Sequence, residues 1–280
     1  MRQLLCTAWI LTLTPTLGGC PGPHYNPKLA NTHYLIGADY IRKKMPQAAK
    51  SELMQAVKLD PDNSDAHYLL GVIFFMEGMN KINLLERVQC LSGIAAQEQR
   101  QEANKEFRRC EKQLLEVVRL AERERKERSD ALNYLANVSL HFKRYEESIS
   151  RAKKALTNIL YVPRHLSLGT LGWAYYQRGD LVGAARELRQ SIFHEPRFCV
   201  GRYRLAQVYY DQKNYDKALE EVKQVTEDKA CPIQEAHELM GLTLIKKKEL
   251  EGARAAFDSC VKLNPKSCIS EKCRRYAKRI

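Results

Sequence analysis

Six segments of about 34 residues repeat one pattern of small and large side chains, and that period restricts the chain to a stack of helix pairs. The eighth position of each segment is small: Gly37, Gly71, Ala136, Gly172, Ala206 and Gly241. A second small position, twelve residues on, holds Ala49, Ser148, Ala184, Ala218 and Ala253. Small side chains there let two helix axes approach, while neighbours such as Leu53, Leu188, Val222 and Phe257 fill the remaining volume. Pro61, Pro196 and Pro265 fall near the thirty-second position, where a missing N–H and a clash with the preceding turn end the second helix. Asp60-Pro61-Asp62-Asn63-Ser64-Asp65 then reads as a stop, a turn and the N-cap of the next helix.

This spacing resembles the tetratricopeptide pattern, which implies an all-α superhelix of about six helix pairs with a C-terminal capping helix. The repeats are expected at residues 30–63, 64–128, 129–162, 165–198, 199–232 and 234–267, and the cap at 268–280. The second carries an insertion at about 79–102, expected to open as a loop with a short helix. From Gln97 the insertion becomes strongly helical, with Phe107, Cys110, Leu114, Val117 or Val118, and Ala121 on one apolar stripe. Its charged end, Ala121 to Arg128, is expected to project into solvent.

The resemblance also implies a concave groove lined by the second, fifth, ninth, twelfth and thirteenth positions of each first helix. In the first two repeats these include Tyr34, Ile41, Tyr68, Val72, Phe75 and Met76. Later repeats add Asn133, Asn137, Leu140, Trp173, Tyr176, Tyr203, Gln207 and Tyr210. So many aromatic and aliphatic side chains make an apolar surface that asks for a protein partner, unless the insertion itself packs over part of it.

The N-terminus places the body in a compartment. Met1-Arg2 is positive, Leu4 to Leu17 is mostly apolar, and the stretch ends in Leu17-Gly18-Gly19-Cys20. That is too short to cross a bilayer comfortably but suits a signal-peptide core. Its end resembles a bacterial lipobox, which implies a leader at 1–19, acylation of Cys20 and a lipidated tether at 20–29. Pro21, rather than an aspartate, follows the cysteine, so the resemblance implies the outer membrane, with the body facing the periplasm.

Lys and Arg outnumber Asp and Glu by 46 to 33, a net charge of +13 that alone suits nucleic acid, anionic lipid or an acidic protein. A body outside the cytoplasm disfavours nucleic acid. No HExxH, GxSxG, GxxxxGK[ST] or GxGxxG occurs. His33, His67 and His237 all fall at the fourth repeat position, where packing explains them better than metal ligation. No catalytic residue, metal, cofactor or small-molecule substrate is therefore expected. Seven cysteines follow Cys20, an odd number in a compartment that permits disulfides. Cys260 on the last second helix is expected to pair with Cys273 on the cap, and Cys90 with Cys110 across the insertion.

Lipobox and six repeats together resemble the type IV pilus pilotins, the PilF/PilW and Tgl group. Leu160-Tyr161-Val162-Pro163, ahead of Leu171-Gly172-Trp173-Ala174, is similar to a Tyr-to-Pro break in that family. The resemblance implies a lipoprotein that binds outer-membrane secretin subunits and promotes their assembly into a ring. The inserted second repeat departs from it. Lipoprotein scaffolds for cell-wall hydrolases or envelope assembly share the same two features and form the alternative.

Overall fold

Every first helix except the second repeat's ends in a turn whose fifteenth repeat residue is left-handed. Gly179 takes φ 94°, and lysines take the same place at Lys44, Lys143, Lys213 and Lys248, with φ from 58° to 66°. These turns reverse the chain within a few residues and set each helix antiparallel to the next. The computed structural model describes residues 25–280 apart from 89, 123 and 124, so the leader, Cys20 and the start of the tether lie outside the described residues.

The described residues form thirteen α-helices. Five ordinary pairs are α1 (Pro27–Arg42) with α2 (Pro46–Leu59), α5 (Lys126–His141) with α6 (Tyr145–Leu156), α7 (Arg164–Arg178) with α8 (Leu181–His194), α9 (Cys199–Asp211) with α10 (Tyr215–Glu227), and α11 (Gln234–Lys246) with α12 (Leu250–Leu263). The second pair is longer: α3 (Ser64–Asn83), a π-helical turn (Leu84–Val88) and α4 (Gly93–Leu120). The cap, α13, spans Cys268–Ala277. Starts are capped by side chains: Asn63 Oδ1 accepts from the Ala66 N–H at 2.9 Å, and Asp180 Oδ1 from the Gly183 N–H at 2.8 Å.

Within a pair, the eighth-position glycine sets the separation. A Cβ on Gly37 would lie 2.8 Å from Leu53, one on Gly172 2.7 Å from Leu188, and one on Gly241 2.5 Å from Phe257. Leu53, Leu188 and Phe257, each sixteen residues after its glycine, are fully buried. For Gly71 the same contact is made by Leu114, at 2.5 Å and 43 residues on, so the insertion adds 27 residues. Three apolar clusters, over α2–α5, α5–α10 and α9–α13, then form one elongated core.

The insertion differs from expectation in three ways. It lengthens both helices into one hairpin in place of a loop with a short helix, because Ile73, Phe74, Ala103 and Phe107 continue the apolar seam. Its charged end does not continue the helix. α4 stops at Leu120; Arg128 donates to the Val118 and Ala121 carbonyls, and Arg125 meets Asp65 at 2.8 Å. Further along, Glu111 takes hydrogen bonds from Arg144 at 2.9 Å and Arg151 at 3.0 Å, which fastens α4 to the third repeat.

The Cys90–Cys110 pairing is the third correction. Cys90 is bonded to Cys268, with Cα atoms 5.4 Å apart. Cys110 is an unpaired thiol, fully buried. It stands four residues before Leu114, as Ala49 does before Leu53 and Ala184 before Leu188, so it fills the small second-helix position. Cys260 is bonded to Cys273, and Cys199 to Cys231. Besides the disulfide, Arg87 on the π turn meets Glu235 on α11 at 2.7 Å. The hairpin tip thus reaches from the second repeat to the sixth repeat and the cap.

Gly172→Leu is expected to lower stability by ~1–3 kcal/mol through overpacking against Leu188 and the Ala184 carbonyl. A thermal melt indistinguishable from wild type contradicts this packing.

Candidate protein-binding groove

The concave face divides into an apolar N-terminal half and a mixed C-terminal half. On α1, Leu35 is 56% exposed and Ile41 36%, beside half-buried Tyr34; with Ala38, Arg42 and Leu69 they line a concavity of 340 Å³. On α3, Met76 is 58% exposed. These side chains gain nothing from the fold by facing water, and their burial by a partner is favourable at roughly 25 cal/mol per Å².

Tyr68 and Phe75, expected as open groove residues, are engaged inside the molecule. The Phe75 ring packs edge-on to Tyr134 at 4.9 Å and to Phe107 of the inserted hairpin at 5.9 Å. Tyr68 donates its hydroxyl to Asp130 Oδ2 at 3.3 Å. Val72 is half-buried, and Leu140 packs on the middle cluster. His141 is held against Phe107 and meets Asn104 at 2.6 Å. The insertion therefore covers part of the surface expected in the first two repeats, leaving Ile41 and Met76 exposed and Tyr34 half-buried.

Asp130 organises the junction between the two halves. Its other oxygen accepts from Tyr161, the buried residue of the Tyr-to-Pro break, at 2.8 Å. Burial raises the Asp130 carboxyl above its ordinary value, against the lowering effect of Tyr161, Lys126 and Tyr68. The carboxylate in turn adds to burial in holding both tyrosine hydroxyls neutral.

In the C-terminal half, Trp173 and Tyr176 stack with centroids 4.5 Å apart, and Tyr176 donates to Asp211 at 2.6 Å. The Arg204 guanidinium lies over the Trp173 ring at 4.9 Å. Sequence reasoning missed Arg204, Leu35 and Asp130. Arg204 and Leu35 occupy sixth positions, which the register of groove positions omits, and Asp130 stands at a second position without an aromatic signal. The histidines do structural tasks: His33 meets Glu52 at 2.7 Å, and His67 meets Gln113 at 2.7 Å and the Pro61 carbonyl at 2.9 Å. Burial pushes the Cys110 thiol far up, which makes it a poor nucleophile. Among the described residues no three His, Cys, Asp or Glu side chains gather as a metal site, and no helix is long and apolar enough to cross a membrane.

Fold and groove define a tetratricopeptide-repeat superhelix, a class whose concave surface takes protein partners. A tetratricopeptide repeat-like domain matches residues 167–272, and a tetratricopeptide repeat matches residues 34–78. Among solved structures, PilF of Pseudomonas aeruginosa is similar at 18% identity and a TM-score of 0.61, over 89% of this chain and 97% of that one. PilW, described as a widely conserved type IV pilus biogenesis factor, is similar at 16% identity and 0.66, over 88% and 99%. The APC/C hetero-tetramer Cut9–Hcn1 reaches 0.67 at 15% identity, but over only 43% of its chain. No curated protein sequence matches.

Because the folded-state value of Asp130 lies above the unfolded value, its contribution is complete at low pH and is lost as pH rises through the folded value. Denaturant midpoints of wild type and Asp130→Asn, compared from pH 7 down to about pH 4, are therefore expected to shift in favour of wild type. A shift the other way contradicts the burial of this carboxylate.

Proposed function

We propose that this protein is a pilotin: an outer-membrane lipoprotein, anchored through acylated Cys20, that binds secretin subunits and promotes their assembly for type IV pilus biogenesis. The observation that carries the reading is the likeness of one six-repeat body to almost the full length of both PilF and PilW, joined to Leu17-Gly18-Gly19-Cys20, which resembles a lipobox. A secretin subunit must be held while its membrane-inserting surfaces are still exposed. The Leu35, Ile41 and Met76 surface suits that task, since it is apolar and belongs to the repeats that follow the tether.

Ile41 and Met76 are exposed, so replacing them leaves the internal packing intact. Ile41→Asp combined with Met76→Asp places two charges in a contact that must become dry. A loss of ~2 kcal/mol or more, hence at least about tenfold in affinity, is expected. Heat-resistant secretin multimers should fail to form while circular dichroism stays unchanged. Normal multimers in that variant, or recovery of an amidase in place of a secretin with the wild type, overturn the proposal.

A further inference from the structure

Arg204, at the centre of the C-terminal half, has an unusual environment for a cation. Its guanidinium offers five N–H donors, yet its protein hydrogen bond is a long one, from Nη1 to the Gly169 carbonyl at 3.4 Å. Among the described residues no carboxylate lies within ion-pair distance of it. The acids beside the neighbouring tyrosines do not pair with it: Glu235 is bonded to Arg87, and Asp211 accepts from Tyr176. Burial pulls the guanidinium down to about 10, which leaves it charged at neutral pH. Arg204 is half-buried, so its guanidinium keeps one side open on the groove and carries no counter-charge there.

Two acceptors on the same series of first helices are also unsatisfied. Gln207 Oε1, one turn along α9 from Arg204, is buried without a hydrogen-bond partner, and so is Asn133 Oδ1 on α5. Between them Asn137 Nδ2 bridges to Thr170 Oγ1 at 3.1 Å. The face therefore presents a cation without a counter-charge, stacked on Trp173 beside Tyr203, with two acceptors that lack donors just beneath its surface. An extended acidic peptide has the complementary set. Its carboxylate matches the guanidinium fork, a backbone N–H matches the Gln207 amide oxygen once that side chain turns outward, and its aliphatic stem suits the rings. A phosphate ion supplies only the first of these strongly.

We propose that Arg204, with Gln207 and Trp173, forms a subsite for an aspartate or glutamate side chain of an extended segment of the partner protein. The subsite rests on the receptor reading above and specifies the partner's chemistry: an apolar stretch docks on α1 and α3, and an acidic residue is read on α9.

Selection from a random dodecapeptide display library on the oxidised protein, followed by calorimetry of the selected peptides, tests this. The selected peptides are expected to share one Asp or Glu. Replacing it with Asn or Gln, or Arg204 with Gln, should each weaken binding by about thirtyfold or more, and the two changes together should add little. Arg204→Lys keeps the charge but not the fork and should fall between; circular dichroism checks both variants. An empty selection, no shared acidic residue, equal binding by Arg204→Gln, or displacement by inorganic phosphate at comparable affinity overturns the subsite. Secretin multimers lost on Ile41→Asp and Met76→Asp substitution would still support the assembly role, so the two proposals fail separately.

Discussion

The close approach of paired helices at the eighth repeat position is the contact on which the other features depend. Gly37, Gly172 and Gly241 each press against a fully buried side chain sixteen residues later, at distances no Cβ tolerates. Because each pair buries its apolar face only against its neighbours, this local contact propagates along the chain and fixes the superhelix. It also gives the first helices a common orientation, which puts Tyr34, Ile41, Met76, Trp173 and Arg204 on the concave face. The groove is thus a consequence of packing on its reverse side.

The inserted hairpin turns an open stack into one tied end to end. Its base obeys the repeat, with Leu114 against Gly71 and Cys110 in the small second-helix position. Its tip leaves the repeat and meets the far end, through Cys90–Cys268 and the Arg87–Glu235 pair. A cross-link over 178 residues removes chain entropy from the unfolded state worth ~5 kcal/mol in the loop-closure account. The tie also limits how far the superhelix opens, since α3 and α11 are held at a set separation. The hairpin covers Phe75 with Phe107, so it withdraws apolar surface from the groove where the first repeats would otherwise offer it.

Much of this was legible in the sequence because repeat contacts are local. Gly172 and Leu188 are one helix pair apart, and their spacing recurs, so pattern alone locates both. The stripe Phe107, Cys110, Leu114, Val117 and Ala121 was likewise readable from period, and all five are buried. Contacts outside the period were not. Cys90 pairs with a residue 178 positions away, and nothing near Cys90 in sequence points to Cys268. Cys110 misled because a cysteine in a small-residue slot looks like a disulfide candidate until the 27-residue insertion is measured. Tyr68 and Phe75 sit in the groove register, but the register does not reveal that Asp130 and Phe107 already occupy them. Arg204 was passed over because its significance lies in the absence of a partner, which only three-dimensional neighbours disclose.

Peptide mapping of the non-reduced protein, with free thiols alkylated only after unfolding, tests the end-to-end tie most directly. The account predicts a cross-linked pair holding Cys90 and Cys268, and alkylation of Cys110 alone among the seven cysteines of the body. A Cys90–Cys110 cross-link, or Cys90 and Cys268 both recovered as free thiols, would contradict the tie and with it the placement of the hairpin tip against the cap.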